Sequence, residues 1–172
     1  MNGNPLVRLI AAAYQWLIKF NTRILAPVFL LIIRLYWGWQ FHLTGMAKLM
    51  DIPKFTGLFQ GWGFPFPKFN VYLAGSTECF GGLLLLSGLA SRVTTIPLII
   101  TMIVAYITAS PDAVKNIFSK PDDFVSADPF LFMLAAIIVF IFGPGPLSLD
   151  GLIGRILKAR AAKQGEAAAV VP

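Results

Sequence analysis

Two ionisable side chains interrupt the long apolar runs of this chain. Arg34 follows ILAPVFLLII, ten residues without a polar side chain, and Glu78 lies within VYLAGSTECFGGLLLL. A charge at the centre of a bilayer costs about 2.5–3.5 kcal/mol on insertion scales, so such residues are candidates for function. Together they could bind a polar ligand or relay a proton; alternatively, they form a structural pair that fixes the register of two helices.

Helical spacing predicts which residues accompany these two charges. One face of the first apolar helix carries Arg34, Gly38, Phe41, Gly45 and Lys48. Glu78 shares its own face with Gly75 and Gly82. Small residues beside a charge are typical of surfaces where membrane helices pack closely. We therefore expect the two faces to meet and Arg34 to form an ion pair with Glu78, its long side chain extending outward.

Such residues suit a ligand that carries hydrogen-bond acceptors, or a redox ligand that takes up protons on reduction. The candidate ligand-binding residues are Arg34, Trp37, Phe41, His42, Lys48 and Glu78. The cations and the histidine could donate to the acceptors, and the two aromatic rings could enclose the ligand. Glu78 is the candidate proton relay.

The sequence predicts no haem, flavin, iron–sulfur cluster or metal. His42 is the single histidine and Cys79 the single cysteine, too few to ligate such groups. The four aspartates between residues 111 and 128 lack the spacing of a calcium loop. One cysteine cannot form an internal disulfide, and Cys79 is interpreted as a small buried hydrophobe.

The composition is that of an integral membrane protein. Of the 172 residues, 57% are hydrophobic and 13% are charged, whereas soluble domains carry about 25% charged residues. Four segments are apolar enough to span a hydrocarbon core about 30 Å thick. They run approximately over residues 24–46, 71–90, 93–110 and 129–149. The predicted fold is all-α: an integral membrane antiparallel four-helix bundle formed by residues 24–158.

Two segments flank this predicted domain. Residues 1–23 lack the pattern of a cleavable signal peptide and are predicted to form an amphipathic interfacial helix, with Arg8, Gln15 and Lys19 on one face. Residues 159–172 are predicted to be a disordered cytoplasmic tail. Lysine and arginine concentrate in both termini, so the positive-inside rule places them in the cytoplasm and the spans in a bacterial inner membrane. The net charge of +6 then favours membrane lipids over nucleic acid as a partner.

The loop between the first two spans is rich in aromatic residues, in DIPKFTGLFQGWGFPFPKFN. It is interpreted either as a belt of rings at the level of the lipid headgroups or as a half-buried lid over a cavity. Such a lid would admit an apolar ligand sideways from the lipid. At the opposite ends of the spans, Arg92 and Asp150 are expected to form a structural ion pair.

These motifs, in this order, resemble the DoxX family of small four-helix membrane proteins. The resemblance rests on RLYWGWQFHLTGMAKL, GFPFP, LAGSTECFGGLLLLSGLASR and FGPGPLSLDGLIGR. It implies a common polar site that contains Arg34, Lys48 and Glu78. Some relatives are subunits of membrane oxidoreductases that pass electrons from sulfur compounds to quinone, and others are linked to thiol and oxidative-stress responses. Branches of the wider group that exchange disulfides use paired cysteines, which this sequence lacks.

Three functions stay open at the level of sequence. The first is a DoxX-like subunit that binds quinone and supports a membrane redox or sulfur and oxidative-stress system, with a partner protein supplying electrons or a thiol. The second is a lipid-binding or apolar-ligand-binding assembly factor without chemistry, and the third is a scaffold. A homo-oligomer is expected in each case, because four helices shield little polar interior from lipid.

Overall fold

The described part of the chain, residues 5–169, is all-helical in the computed structural model, and its side chains are described for residues 6–162. The predicted all-α class is confirmed. In chain order the helices are α1 (Pro5–Phe20), α2 (Ala26–Met50), α3 (Ile52–Gly61), α4 (Pro67–Ser87), α5 (Ser91–Ala109), α6 (Pro111–Lys115), α7 (Pro121–Ser126), α8 (Pro129–Phe142) and α9 (Leu149–Ala169). A π-helical segment, Asn21–Leu25, joins α1 to α2.

Three stretches of the described residues are helical, apolar and long enough to cross a membrane: Leu6–Met50, Pro67–Ser87 and Ser91–Ala109. The fourth predicted span, residues 129–149, is a shorter helix. α8 has 14 residues, about 21 Å at 1.5 Å per residue, which is less than the thickness of the hydrocarbon core. It ends at Phe142 because Gly143 and Gly145 adopt φ angles of 78° and 77° and alternate with prolines.

The N-terminal helix and the first span form one continuous helix instead of two separate elements. The boundary predicted at residue 23 falls inside the π-helical segment. Within that segment, Thr22 Oγ1 donates to the Ile18 carbonyl at 2.8 Å, a side-chain bond of the kind that bends helices. The part of the prediction that concerns residues 1–4 lies outside the described residues.

The C-terminal segment differs from the predicted disordered tail. α9 continues as a helix to Ala169, and residues 170–172 lie outside the described residues. The sequence after Leu157 is rich in alanine and lysine, which have high helix propensity. The helix therefore extends beyond residue 158, where the membrane domain was predicted to end.

Glycines bring α2 and α4 into direct backbone contact. A Cβ atom added at Gly45 would lie 2.7 Å from the Gly75 carbonyl oxygen, and one added at Gly82 would lie 2.5 Å from the His42 amide nitrogen. Both distances are shorter than real Cβ contacts, so any larger residue would push the helices apart. The prediction that the glycine-containing faces of the first two spans meet is confirmed.

α8 packs against α5 and α2 at the centre of the molecule. The buried core cluster consists of Phe41, Leu85, Leu98, Met102, Ala136 and Val139. Phe132 of α8 lies against two rings of α2, with ring centroids 4.9 Å from Trp37 and 4.8 Å from Phe41. These edge contacts stabilise the position of α8 beside α2.

Candidate ligand-binding cleft

The segments that connect the long helices lie at two ends of the molecule, and the two ends differ in chemistry. The aromatic end comprises residues 51–66 and 110–128, and the arginine end comprises residues 88–90 and 143–148. α2 runs between them and presents one cation to each, Lys48 to the aromatic end and Arg34 to the arginine end.

Lys48 and Glu78 form an ion pair between α2 and α4. Lys48 Nζ lies 2.5 Å from Glu78 Oε2, and the two side chains are 18% and 3% exposed. A carboxylate this deeply buried is stable in its charged form only when it is paired, and here the lysine supplies the opposite charge. The pair is therefore the polar centre of the aromatic end.

The predicted pairing of Arg34 with Glu78 is wrong. Gly45 packs directly on the backbone of α4 at Cys79, and this contact fixes the register of the two antiparallel helices. Lys48 is about one turn further along α2 than Gly45, so its side chain reaches Glu78. Arg34 lies 14 positions before Lys48, about 21 Å away along the helix.

A cleft of about 580 Å³ opens beside this ion pair. Lys48 and Glu78 contribute to its wall, and most of the remaining lining is apolar. Its long side follows one face of α5, on which Thr101, Ala105 and Thr108 recur at helical spacing. The volume falls in the range of small-molecule sites, which are mostly apolar with a few polar groups.

Aromatic residues of α3 and the following turn cover the cleft. The lining rings are Phe55, Phe59, Trp62 and Phe64. The Phe59 ring stacks on Phe64 at 4.8 Å and lies 5.5 Å from Trp62. Lys48 Nζ lies 5.9 Å from the centre of the Phe55 ring, so the cation of the ion pair also contacts the aromatic cover.

Asn70 connects the cleft to a strained turn beside it. Its side chain lines the cleft, and its Nδ2 donates to the Pro65 carbonyl at 2.6 Å. Phe66, which follows Pro65 and precedes Pro67, adopts a left-handed conformation with φ 49° and ψ 57°. That conformation is unfavourable for a residue that precedes proline, and the Asn70 hydrogen bond helps to hold it.

Arg34 belongs to the arginine end and not to the cleft. Its side chain is 1% exposed, and Nη2 donates to the Leu147 carbonyl at 2.6 Å. Gly88 has φ 72° and no side chain, and the Arg34 guanidinium occupies the position that a Cβ atom would take there. Ser148 borders the same position. Arg34 therefore joins the first span to the segment that follows α8.

The predicted ion pair between Arg92 and Asp150 is also wrong. The Asp150 carboxylate accepts the backbone N–H groups of Ala90 and Ser91 at 2.9 and 3.1 Å. It thereby caps the N-terminus of α5 from another helix. Arg92 instead donates to the carbonyl of Ile141 at 3.4 Å, near the end of α8.

The remaining predicted site residues lie between the two ends. Trp37 and Phe41 pack against Phe132 in the core. His42 Nδ1 lies 3.2 Å from the Cys79 carbonyl oxygen and 3.4 Å from Cys79 Sγ, in the contact between α2 and α4. Of the six predicted residues, the structure brings Lys48 and Glu78 together on the cleft.

Sequence reasoning missed the walls that α5 and α8 contribute. Thr101, Ala105 and Thr108 form a stripe of small and polar residues at positions i, i+4 and i+7 of an otherwise apolar span. That spacing is a readable signal for a face that does not contact lipid. Phe132 lies in a uniformly apolar helix, so its sequence context contains no comparable signal.

The fold and the buried ion pair define a helical integral membrane protein with a polar site between its first two spans. The family model of DoxX matches residues 29–111. An uncharacterized protein of Haemophilus influenzae is 27% identical over 133 residues, which cover 75% of this chain and 85% of that protein. An uncharacterized membrane protein of Mycobacterium tuberculosis is 32% identical over 136 residues, covering 72% of this chain and 80% of its own.

The chain belongs to the DoxX family, and it is a membrane protein. The resemblance found in the sequence motifs is thus confirmed. No solved structure matches the chain.

Proposed function

We propose that the cleft binds the headgroup of a membrane quinone and that the protein is a subunit of a membrane redox system. The observation that carries this proposal is the Lys48–Glu78 ion pair, which faces an apolar cleft of about 580 Å³ under an aromatic cover. A quinone needs flat apolar contact for its ring and a donor for its carbonyls, and these are the two kinds of surface that meet at this point.

Each component of the cleft has a defined role in this proposal. The Lys48 ammonium donates a hydrogen bond to one quinone carbonyl. As the quinone gains two electrons and two protons to become the quinol, Glu78 relays protons to it from water at the aromatic end. The rings of Phe55, Phe59 and Trp62 pack against the headgroup. Electrons come from a partner protein that supplies them directly or through a thiol, and this partner completes the oxidoreductase.

The membrane arrangement belongs to the same proposal. α8 and its flanking residues form the fourth member of an antiparallel four-helix bundle with α2, α4 and α5. The basic residues of both termini support an orientation with the arginine end at the cytoplasmic face of a bacterial inner membrane and the aromatic end at its outer face. The cleft is lined by α4 and α5, which are both spans, and therefore lies at the depth of the lipid. A quinone enters it sideways from the lipid. In a homo-oligomer, the cleft faces outward and this route stays open.

Extraction of co-purified small molecules tests the quinone proposal. The full-length protein, purified in mild detergent, is extracted with organic solvent and analysed by mass spectrometry alongside Glu78→Gln and the control Asp112→Asn. Asp112 is an exposed carboxylate on α6. The expected result is quinone at about one per chain in the wild type and the control, with a loss of about tenfold in Glu78→Gln. Phospholipid alone in all three samples would contradict the proposal.

A second candidate function is binding of a lipid or another apolar ligand without chemistry. The observation that favours it is the length of the cleft along α5, from Ile100 to Ser110, which extends about 15 Å and suits an acyl chain. In that case the same extraction yields a stoichiometric lipid that is lost in Glu78→Gln. Added quinone would then fail to displace it.

A further inference from the structure

The helix Leu6–Met50 is longer than a bilayer. Its 45 residues extend about 68 Å at 1.5 Å per residue. The 25 residues of α2 alone extend about 37 Å, enough to cross a hydrocarbon core of about 30 Å. α1 therefore lies beyond the span, next to the arginine end.

α1 has one apolar face and one basic face. The side chains of Leu9, Ile10, Trp16 and Leu17 are each more than half exposed. At 100° per residue, Arg8 and Lys19 lie opposite Ile10 and Leu17, while Leu9 and Trp16 lie at the boundary between the two faces. Arg23 follows one turn after Lys19, and residues 5–25 contain no aspartate or glutamate. If α1 continued straight into water, its apolar face would lose the free energy of burial, about 25 cal/mol for each Å².

The junction between α1 and α2 is suited to a change of direction. Residues Asn21–Leu25 are π-helical, and π-helical turns commonly mark a break in the regular backbone ladder. Thr22 Oγ1 bonds to the Ile18 carbonyl at 2.8 Å, and Pro27 has no N–H with which to continue the ladder. These features occur within one turn of the level at which α2 must leave the membrane.

We propose that α1 turns at the π-helical segment and lies on an anionic phospholipid surface beside the arginine end. The apolar face inserts between the acyl chains, and Arg8, Lys19 and Arg23 contact the lipid phosphates. Charge complementarity selects this occupant: a stretch with three cations and no acidic residue is attracted to an anionic leaflet. The proposal does not depend on what the cleft binds.

Hydrogen–deuterium exchange of the full-length protein in lipid nanodiscs tests this proposal. One preparation contains phosphatidylcholine alone, and the other contains phosphatidylcholine and phosphatidylglycerol at a ratio of about 3:1. We expect the amides of residues 6–20 to exchange about tenfold more slowly in the anionic nanodiscs at low salt. The difference should shrink in about 0.5 M salt, where the Debye length falls to about 4 Å.

Two pairs of variants separate the apolar contribution from the charge contribution. Leu17→Gln on the apolar face should remove most of the slowing, whereas the matched control Ala12→Gln on the basic face should retain it. Arg8→Gln combined with Lys19→Gln should make exchange equal in the two lipids. Exchange within α4 reports that each variant is folded.

Two outcomes would overturn the proposal. Equal exchange of residues 6–20 in the two lipids, for the wild-type protein at low salt, would show that lipid charge has no part. Slow exchange in both lipids together with two chains per nanodisc by native mass spectrometry would show that α1 packs against a second copy of the chain.

Discussion

The two cations of α2 are both held inside the protein, but they meet different partners. Lys48 pairs with a carboxylate that faces a cleft, and its side chain stays 18% exposed. Arg34 is 1% exposed and donates to the backbone carbonyl of Leu147 in a tightly packed region. Lys48 is therefore a charge that a ligand can reach, whereas Arg34 is a charge that joins two segments of the chain.

The surroundings of the two cations explain this difference. At the arginine end, Gly88 and Ser148 pack on the guanidinium, and Asp150 uses both of its oxygens to cap α5. At the aromatic end, rings of α3 and of the turn that follows it cover the cleft beside the ion pair. A buried charge in a membrane protein therefore indicates a ligand site only where the surrounding packing leaves space beside it.

Replacement of Gly88 should produce the largest loss of stability, because it disrupts the packing around Arg34 at the arginine end. A Cβ at Gly88 would collide with Arg34 Nη1, and the residue has φ 72°. We expect Gly88→Val to lower the free energy of unfolding by at least about 3 kcal/mol. Thermal unfolding in detergent measures this loss.

The matched control for that experiment is Gly154→Ala. Gly154 lies within α9 and has open space around its Cα, so alanine should be neutral or stabilise the protein by up to about 1 kcal/mol. Equal unfolding temperatures for Gly88→Val and Gly154→Ala would contradict the tight packing described at the arginine end.

A double-mutant cycle sharpens the comparison of the two cations. Lys48→Met and Glu78→Gln should each cost about 1–3 kcal/mol of unfolding free energy, because each leaves a partner group without its counter-charge. Their coupling energy should be of the same size. The corresponding cycle of Arg34→Met with Glu78→Gln should give a coupling below about 0.5 kcal/mol. Strong coupling in the second cycle would contradict the structure and support the ion pair between Arg34 and Glu78 that was predicted from the sequence.

Removal of the Asp150 cap should have a moderate effect restricted to stability. We expect Asp150→Ala to lower the unfolding free energy by about 1–2 kcal/mol, because two N–H groups at the start of α5 lose their acceptor. Asp112→Ala, at an exposed carboxylate, should change it by less than about 0.5 kcal/mol. If Asp150→Ala also weakened ligand binding in the cleft, the two ends would not be independent.

The smallest expected effect concerns the aromatic cover. Phe55→Leu should weaken binding of a short-chain quinone by about 2–10-fold, because the ring contributes contact beyond its buried area. Phe69 lies on the first turn of α4 with its side chain 65% exposed, so Phe69→Leu serves as the control and should leave affinity unchanged. Titration in detergent measures both variants, and an equal loss in the two would exclude α3 as a cover.

The sequence predicted the faces of the helices better than it predicted their partners. The glycine-containing stripes of α2 and α4 follow from helical spacing, and they meet as expected. The pairing of Glu78 depended on axial register, which is set by the fit of Gly45 against the backbone of α4. The hydrogen-bond acceptor of Arg34 is a main-chain carbonyl, a group that every residue possesses, so no pattern of side chains could identify it. The acidic side chain that interacts electrostatically with the guanidinium is Asp150, which was assigned to Arg92 instead.

The membrane spans, like the helix faces, were predictable from the sequence in part. Apolar length predicted three spans, over residues 24–46, 71–90 and 93–110, and these lie largely within the helices that begin at Leu6, Pro67 and Ser91. The glycines after Phe142 shorten the fourth. The cleft could be predicted only in part, because its walls come from α2, α3, α4, α5 and α8, which approach each other only after packing. The aromatic loop of residues 51–70 was interpreted either as a belt of rings or as a lid over a cavity, and the small-residue stripe of α5 is a second sequence signal that the prediction did not use.

The hydrogen bond between Arg34 and Leu147 has a consequence for the synthesis of the protein. Its two residues are separated by 113 positions. At about 5–20 residues per second, a ribosome needs roughly 6–23 seconds to proceed from the first to the second. During this interval the first span already contains its arginine, whose acceptor has not yet been made. Until then the guanidinium can extend to the membrane surface or stay beside the insertion machinery, and synthesis of the segment between α8 and α9 supplies its acceptor.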